Sequence, residues 1–223
     1  MDMLYSIRQA GLAEMHFVAQ GILEAERGAS GPIPWCALFN IPEKAFSEIV
    51  LEILQEDIAG QEWCLSQFWL LEASATPSAG LSAWIENESG QSSALLMSTL
   101  VYHFISDAQR IEAQERLKRL RQLQLNRSPG YLQLESIFVQ PDCRGKGLAG
   151  QLIESVLQHF KSLHPDLPGA EIQLSGENQA ALKSYLKAGF IQVSKAEYSG
   201  NFQDIHEVYP GHSKILLRKE FNI

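Results

Sequence analysis

Arg144, Gly145, Lys146 and Gly147 stand between a short β-prone run and a helical repeat, and residues of these types in that place can hold an anion. Glycine reaches dihedrals denied to other residues and lets a ligand come close to the main chain. The first N–H groups of the helix that follows have no intrahelical acceptor, and the helix dipole favours negative charge there. The two cations add charge-assisted contacts. Two familiar phosphate loops fit this turn poorly. A Walker A loop ends Gly-Lys-Ser/Thr, but Gly147 is followed by Leu148, so no hydroxyl is placed for magnesium. Gly145, Gly147 and Gly150 match a dinucleotide-binding spacing. That fingerprint needs an acid ending a second strand about 20 residues on. Here that stretch is His164-Pro165-Asp166, a proline-flanked loop, and too little chain follows to complete a dinucleotide-binding half.

The elements that position this turn are readable around it. Leu134, Ile137, Phe138 and Val139 form an apolar strand stopped by Pro141, which cannot donate a ladder hydrogen bond. Leu148, Leu152, Ile153, Val156, Leu157 and Phe160 recur at three- and four-residue intervals, the buried stripe of an amphipathic helix. A second unit spans residues 171–190. Ile172 and Leu174 alternate as in a strand, and Asn178 can cap a helix whose stripe is Ala181, Leu182, Tyr185 and Leu186. Gly189 supplies the left-handed residue that ends it, with Phe190 as the following hydrophobic contact.

Arg144-x-x-Gly147-x-Ala149, preceded by an apolar strand ending Val139-x-Pro141, resembles the acetyl-CoA-binding motif of the GNAT superfamily of N-acetyltransferases. Residues 171–190 are similar to a second block of that superfamily: strand, asparagine, then a helix bearing tyrosine and ending Gly-Phe. The resemblance implies an α/β (α+β) acyl-CoA N-acyltransferase fold, with a mixed, mostly antiparallel sheet flanked by helices. It implies acetyl-CoA as co-substrate and no metal. By the same resemblance Ile137, Phe138 and Val139 offer backbone groups to the pantetheine arm, where the strand splays from its neighbour. The amides of Arg144, Gly145, Lys146, Gly147, Leu148 and Ala149 hold the pyrophosphate, Asn178 contacts the arm near the thioester, and Tyr185 protonates the departing thiolate. Tyr185 also lies on the helix's buried stripe, so a packing role stays open beside the catalytic one.

Transfer of an acetyl group to an amine needs an uncharged nitrogen, a stabilised oxyanion and a proton for the leaving thiolate. A lysine-like amine of pKa near 10.4 is almost wholly protonated at pH 7, a handicap of about 4–5 kcal/mol. A carboxylate beside the thioester is the natural remedy, and Glu135 is the acid on the motif strand. Leu134-Glu135-x-Ile137-Phe138-Val139-x-Pro141 is also similar to the strand of diamine and polyamine acetyltransferases, where that glutamate is a proposed base. A substrate-positioning or structural carboxylate is the alternative.

Composition bounds the rest. The chain has 223 residues, 45% of them hydrophobic, which suits a single domain with extensions over residues 1–223. A net charge of −8 argues against broad phosphate neutralisation, hence against nucleic acid, and favours a small cationic amine. No apolar run of about 20 residues suggests a membrane span, and Met1-Asp2-Met3 does not open a signal peptide, so a cytoplasmic protein is expected. Cys36, Cys64 and Cys143 form neither a disulfide framework nor a paired metal site. Cys143 adjoins cations that could activate it, although a loop or packing role is the simpler reading.

The expected order is a strand from Leu4 to Arg8, a helix from Leu12 to Glu26, and loop from Gly28 to Trp35. A helix then starts at Asn40-Ile41-Pro42-Glu43, capped by the asparagine and ending near Asp57. Strands Phe68–Ala73 and Leu81–Glu86 follow, joined by a turn over Thr76–Gly80. Residues 87–130 are read as a helical insertion between the third and fourth strands, its second helix running from Asp107 to Leu125 with Arg110, Arg116, Lys118, Arg119 and Arg121. It can serve as a lid, a substrate gate or the arm of a homodimer, or simply pack on the sheet. Tyr102 and His103 within it can line an acceptor pocket, as can the segment from Ser199 to His212 with His206 and Tyr209. Lys214 to Arg218 is expected to close the sheet. Two rival functions stay open: a non-catalytic acyl-CoA-binding or regulatory module of the same fold, and a transferase acting on protein N-termini or lysines.

Overall fold

The structure, a computed structural model, describes residues 5–28, 31–73 and 76–221. Its elements in chain order are β1 (Tyr5–Gln9), α1 (Met15–Arg27), α2 (Pro34–Phe39), α3 (Glu43–Glu56), β2 (Phe68–Ala73) and β3 (Thr76–Ile85). The insertion follows as α4 (Ser93–His103), α5 (Asp107–Glu112) and α6 (Gln114–Arg121). Then come β4 (Leu132–Val139), α7 (Leu148–Leu163), β5 (Gly169–Ser175), α8 (Gln179–Lys187), β6 (Ile191–Glu197), α9 (Phe202–His206) and β7 (Ser213–Glu220). Among the described residues the strands form one seven-stranded sheet in the order β1-β2-β3-β4-β5-β7-β6, antiparallel throughout except where β4 meets β5. This is the expected mixed, mostly antiparallel sheet with helices on both faces. One core joins α7 and α8 to the sheet through Leu152, Ile153, Val156 and Phe190. The other, on the opposite face, packs α1, α3 and α4 through Ile22, Phe46, Trp63 and Val101.

Several expectations are corrected. Thr76–Gly80 is strand and not turn: Pro77 is tolerated because it sits beside a bulge, where the register shifts between Leu71 and Glu72. Asn40 adopts a left-handed conformation, φ 53°, and ends α2, while Pro42 occupies the cap of α3. The loop expected to run to Trp35 gives way to helix at Pro34, a proline in the first turn where its missing N–H costs nothing. The basic helix is broken at buried Ala113 and ends at Arg121. β7 does not close the sheet; it inserts between β5 and β6 and leaves β6 at the edge. Leu4, and Ala29 and Ser30 of the expected loop, lie outside the described residues.

β4 contains the decisive irregularity. Ser82 pairs with Glu135 and Gly80 with Phe138, so a single β3 residue, Leu81, faces Ser136 and Ile137. Ser136 has φ 48°, a left-handed conformation unusual for a residue with a side chain. The bulge changes the phase of the strand: Leu132 and Leu134 pack toward α7, and so do Ile137 and Val139, whereas Phe138 turns to the other core. Its ring lies on two glycines. A Cβ on Gly21 of α1 would come within 2.0 Å of it, and one on Gly80 within 2.7 Å. Phe17 and Phe68 confine it at centroid distances of 5.0 and 6.2 Å. Gly21→Ala, which in an open helix would stabilise by about 1 kcal/mol, is therefore expected to destabilise by roughly 1–3 kcal/mol through overpacking. Urea unfolding measures it, and a stabilised variant would contradict the packing.

Candidate active site

Just before the bulge β4 parts from β5. The two strands pair only at Leu132 with Ala170 and Gln133 with Glu171, so from Leu134 onward the β4 edge facing β5 has no ladder partner. A cavity of about 620 Å³ opens there. It brings together Glu135, Ile137, Phe138, Val139, Arg144, Ala149, Asn178 and Tyr185. Gly145, Lys146 and Gly147 form the exposed loop between Arg144 and Ala149, and the Leu148 side chain is buried in the core, leaving its amide at the start of α7. Gly145 and Gly147 have φ 77° and 75° with open space around a would-be Cβ, so the requirement for glycine is one of backbone conformation. Arg144 donates through Nε to the Val139 carbonyl at 3.1 Å, which ties the loop to the end of β4. Asn178 caps α8 by accepting from the Ala181 amide, 3.2 Å, in a cap that also places its side chain on the cavity. Cys143 is packed partly against the core.

The inner end of this cavity is a cluster of charges. Arg127 donates to Glu135 at 3.1 Å and lies 3.7 Å from Glu62, while its guanidinium sits 5.3 Å from the Trp84 ring centre. Ser136, the bulge residue, donates to Glu62 at 2.8 Å. Glu26 from the end of α1 and Lys214 from β7 complete the group. Burial, reinforced by the charge of Glu62 and opposed by Arg127 and Lys214, pushes the Glu135 carboxyl up to about 7. Burial and the charge of Glu62, opposed by Lys214, push Glu26 up to about 8. Lys214 is lowered by burial and by Arg127. Arg127 is held above its ordinary value by Glu135 and Glu62 against the opposing effect of burial. Tyr185 is raised by burial and by the charge of Glu135, so its phenol stays protonated.

Sequence reasoning placed Glu135 and Tyr185 in one site and missed Glu26, Glu62, Arg127 and Lys214. The return segment of the insertion delivers Arg127. That segment is bound to the polar face of the sheet: Gln173 donates to the Leu125 carbonyl at 3.2 Å, and the Ser128 amide to Glu171 at 2.9 Å. Glu171 in turn accepts from Arg218 at 2.7 Å and, although burial opposes its charge, these bonds hold it below the usual carboxylate range. The basic residues of α6 hold the insertion in place, with Arg116 donating to the Leu38 carbonyl at 2.8 Å and Arg119 to that of Asp204 at 2.9 Å. Tyr102 and Tyr209 line a second cavity, of about 440 Å³, that adjoins the first across the charged cluster. His103 and His206 are exposed, and His212 pairs with Glu177 at 2.6 Å. Among the described residues no set of three or more His, Cys, Asp or Glu side chains could hold a metal ion, and no helix is long and apolar enough to cross a membrane.

Residues 111–206 match the sequence model of the acetyltransferase (GNAT) domain. No curated protein matches the chain. Solved structures share its fold at low identity. An N-acetyltransferase from Staphylococcus aureus Mu50 is 16% identical with a TM-score of 0.63, over 96% of this chain and 100% of that one. A spermidine N-acetyltransferase chimera from Vibrio cholerae and hSSAT is 11% identical with a TM-score of 0.59, over 97% of this chain and 95% of that one. The ribosomal-protein-S18-alanine N-acetyltransferase from Escherichia coli is 12% identical with a TM-score of 0.52, over 99% and 96%. This chain is thus similar in sequence to the acetyltransferase (GNAT) domain over residues 111–206, which hold the glycine turn, and shares the fold of solved N-acetyltransferases over nearly its whole length.

Proposed function

We propose that the protein transfers an acetyl group from acetyl-CoA to a primary amine by direct attack within a ternary complex. The observation that carries this reading is the parting of β4 from β5 after Gln133, just before the Ser136 bulge, with the glycine turn at one end and Glu135 and Tyr185 within the same cavity. Acetyl-CoA as co-substrate supplies the activated acyl group. The unpaired edge of Ile137, Phe138 and Val139 binds the pantetheine amides, and the amides of residues 144–149 with the Arg144 and Lys146 cations bind the pyrophosphate. Glu135 takes a proton from the substrate ammonium, the freed nitrogen bonds to the acetyl carbon and loses its second proton to solvent as the amide forms, the carbon–sulfur bond breaks, and Tyr185 gives its proton to the sulfur. Solvent returns the proton from Glu135 to Tyr185. The buried cluster favours this chemistry because Glu26, Glu62 and Glu135 converge on the cavity, and the charge of an incoming ammonium draws the raised carboxyls of Glu26 and Glu135 toward their ionised forms.

The reading is tested by acetyl-CoA-dependent thiol release over a panel of primary amines, with the acetylated product identified by mass. Thiol release with no amine in the panel, despite acetyl-CoA binding, would replace it by a regulatory acyl-CoA-binding module. Gly147→Asp puts a carboxylate at a left-handed position where the pyrophosphate is expected, and should weaken acetyl-CoA by roughly 100-fold in calorimetry with folding retained. Unchanged affinity would remove the turn from the binding site.

A further inference from the structure

Lys214 is a primary amine inside the proposed site to which the transfer chemistry gives no task. It belongs to β7 and pairs with Ser175 of β5 and Ala196 of β6. Ile215 and Leu217 of the same strand enter the core shared with α7, so Lys214 projects from the opposite face of the sheet. Glu135 projects from that face too, because Leu134 enters the α7 core. Lys214 lines the first cavity, with Glu135 and Tyr185, and also the second, so it stands where the two adjoin. The charges of Glu135, Glu62 and Glu26 act on it, yet among the described residues it forms no ion pair and donates no hydrogen bond. Arg127 takes the close contacts with Glu135 and Glu62 instead. Unlike Arg127 Nε, which is sealed in protein without a partner, the Lys214 nitrogen keeps accessible surface in the wall of the cavities. Burial and the charge of Arg127 also weaken its hold on a proton, which increases the share of neutral, nucleophilic amine.

Resting on the acetyl-transfer reading, we infer that Lys214 is a self-acetylation site: with acetyl-CoA bound and no acceptor present, its Nζ takes the acetyl group. A lysine is chemically the kind of amine that the reaction serves, and one held in the cavity reacts without an encounter step. Glu135 takes a proton from the Lys214 ammonium, and the nitrogen bonds to the acetyl carbon and loses its second proton to solvent as the amide forms. The carbon–sulfur bond breaks and Tyr185 protonates the sulfur. Coenzyme A leaves as the thiol, and Lys214 keeps the acetyl group as an uncharged amide. A free amine drawn to the same carboxylates competes for the thioester, so self-acetylation is the outcome when acceptor is scarce. The acetylated side chain then fills the junction of the two cavities, where an acceptor amine would stand.

Wild-type protein incubated with acetyl-CoA and no amine should gain the mass of one acetyl group. Peptide mapping should place it on Lys214 at a rate at least about 100-fold above that of exposed Lys44, which reacts without a catalytic site. An excess of free coenzyme A, or of the best amine in the panel, should suppress the reaction at Lys214 and leave that at Lys44 unchanged. Lys214→Arg keeps the charge and cannot form the amide, so it should show only the slow surface background, with circular dichroism confirming that it is folded. An unmodified Lys214 in protein that acetylates free amines would overturn the inference and leave acetyl transfer standing. Acetylation of Lys214 no faster than Lys44, or indifferent to coenzyme A, would also overturn it, as solution chemistry alone. Acetyl found on Lys214 while no free amine is accepted would sustain the inference and replace the small-molecule reading by self-modification. Acetyl-CoA bound in calorimetry, with neither Lys214 nor any amine modified, would remove both.

Discussion

Glu135→Gln is expected to lower kcat by roughly 10²–10⁴-fold with acetyl-CoA affinity little changed, the range that a general base contributes. Gln is nearly isosteric and can still accept from Arg127, whose 3.1 Å bond fixes the side chain. What is lost is the ability to take a proton. Burial raises the carboxyl to about 7, so the proposed base is half-ionised near neutrality, where proton transfer is most efficient. The wild-type rate should climb as pH rises through about 7, with the macroscopic midpoint shared with Glu26, whose carboxyl is raised to about 8. In Glu135→Gln that limb disappears and the rate follows only the neutral fraction of the amine. Stability carries the opposite sign. A folded-state pKa above the ordinary 4.5 means that the folded protein holds a proton the unfolded chain has released, so stability falls as pH rises from about 4.5 to about 7. The variant should show a shallower fall in thermal melts over that window. Retained kcat with a retained pH limb would make Glu135 a positioning partner of Arg127 and pass the base role to Glu26.

How much of this was legible in the sequence follows from how local each signal is. The β4-turn-α7 unit and the Asn178 cap of α8 are set by neighbours within a few residues, and both are found where their patterns put them. Thr76–Gly80 has a turn's composition, but Pro77 is accommodated by a bulge and Gly80 by the approach of Phe138, contacts made across strands. The placement of β7 between β5 and β6 is likewise a pairing decision with no local mark. The β4 bulge, by contrast, was written in the chain. Leu132 and Leu134 are even-numbered, Ile137 and Val139 odd-numbered, and one face can bury all four only if the strand changes phase between them. Read as a plain apolar run, that break passes unnoticed.

The site was legible where it is made of main chain and illegible where it is made of charge. Glycine turns advertise backbone demands through residue type. Glu26, Glu62, Arg127 and Lys214 come from α1, two loops and β7, and each reads in sequence as an ordinary solvated charge. Only the tertiary fold buries them together, through a return segment whose hold on Glu171 and Gln173 depends on residues more than forty positions away in sequence. The adjacency of Glu62 to Trp63 was the available hint, since a charge beside a large apolar residue in a short loop is poorly placed for full solvation.

Tyr185→Phe isolates the other end of the reaction and should cost kcat roughly 10²–10⁴-fold, the range for a general acid. The phenol makes no hydrogen bond among the described residues, so removing its oxygen breaks nothing in the fold and the melting temperature should hold or rise slightly. Burial and the charge of Glu135 raise Tyr185 above its ordinary value, a change that at first sight weakens it as an acid toward a thiolate of pKa about 8.5. On the proposed mechanism the thiolate is generated in the same desolvated cleft, where burial would raise its basicity too, so the pair stays matched and the phenol stays protonated across the working range. Two measurements separate proton donation from packing. A donor's loss makes carbon–sulfur cleavage limiting, so acetyl donors with more acidic thiols should recover rate in Tyr185→Phe far more than in wild type. A packing residue would instead raise the KM for acetyl-CoA and show no such recovery, and a variant with wild-type kcat would assign the departing sulfur its proton from solvent.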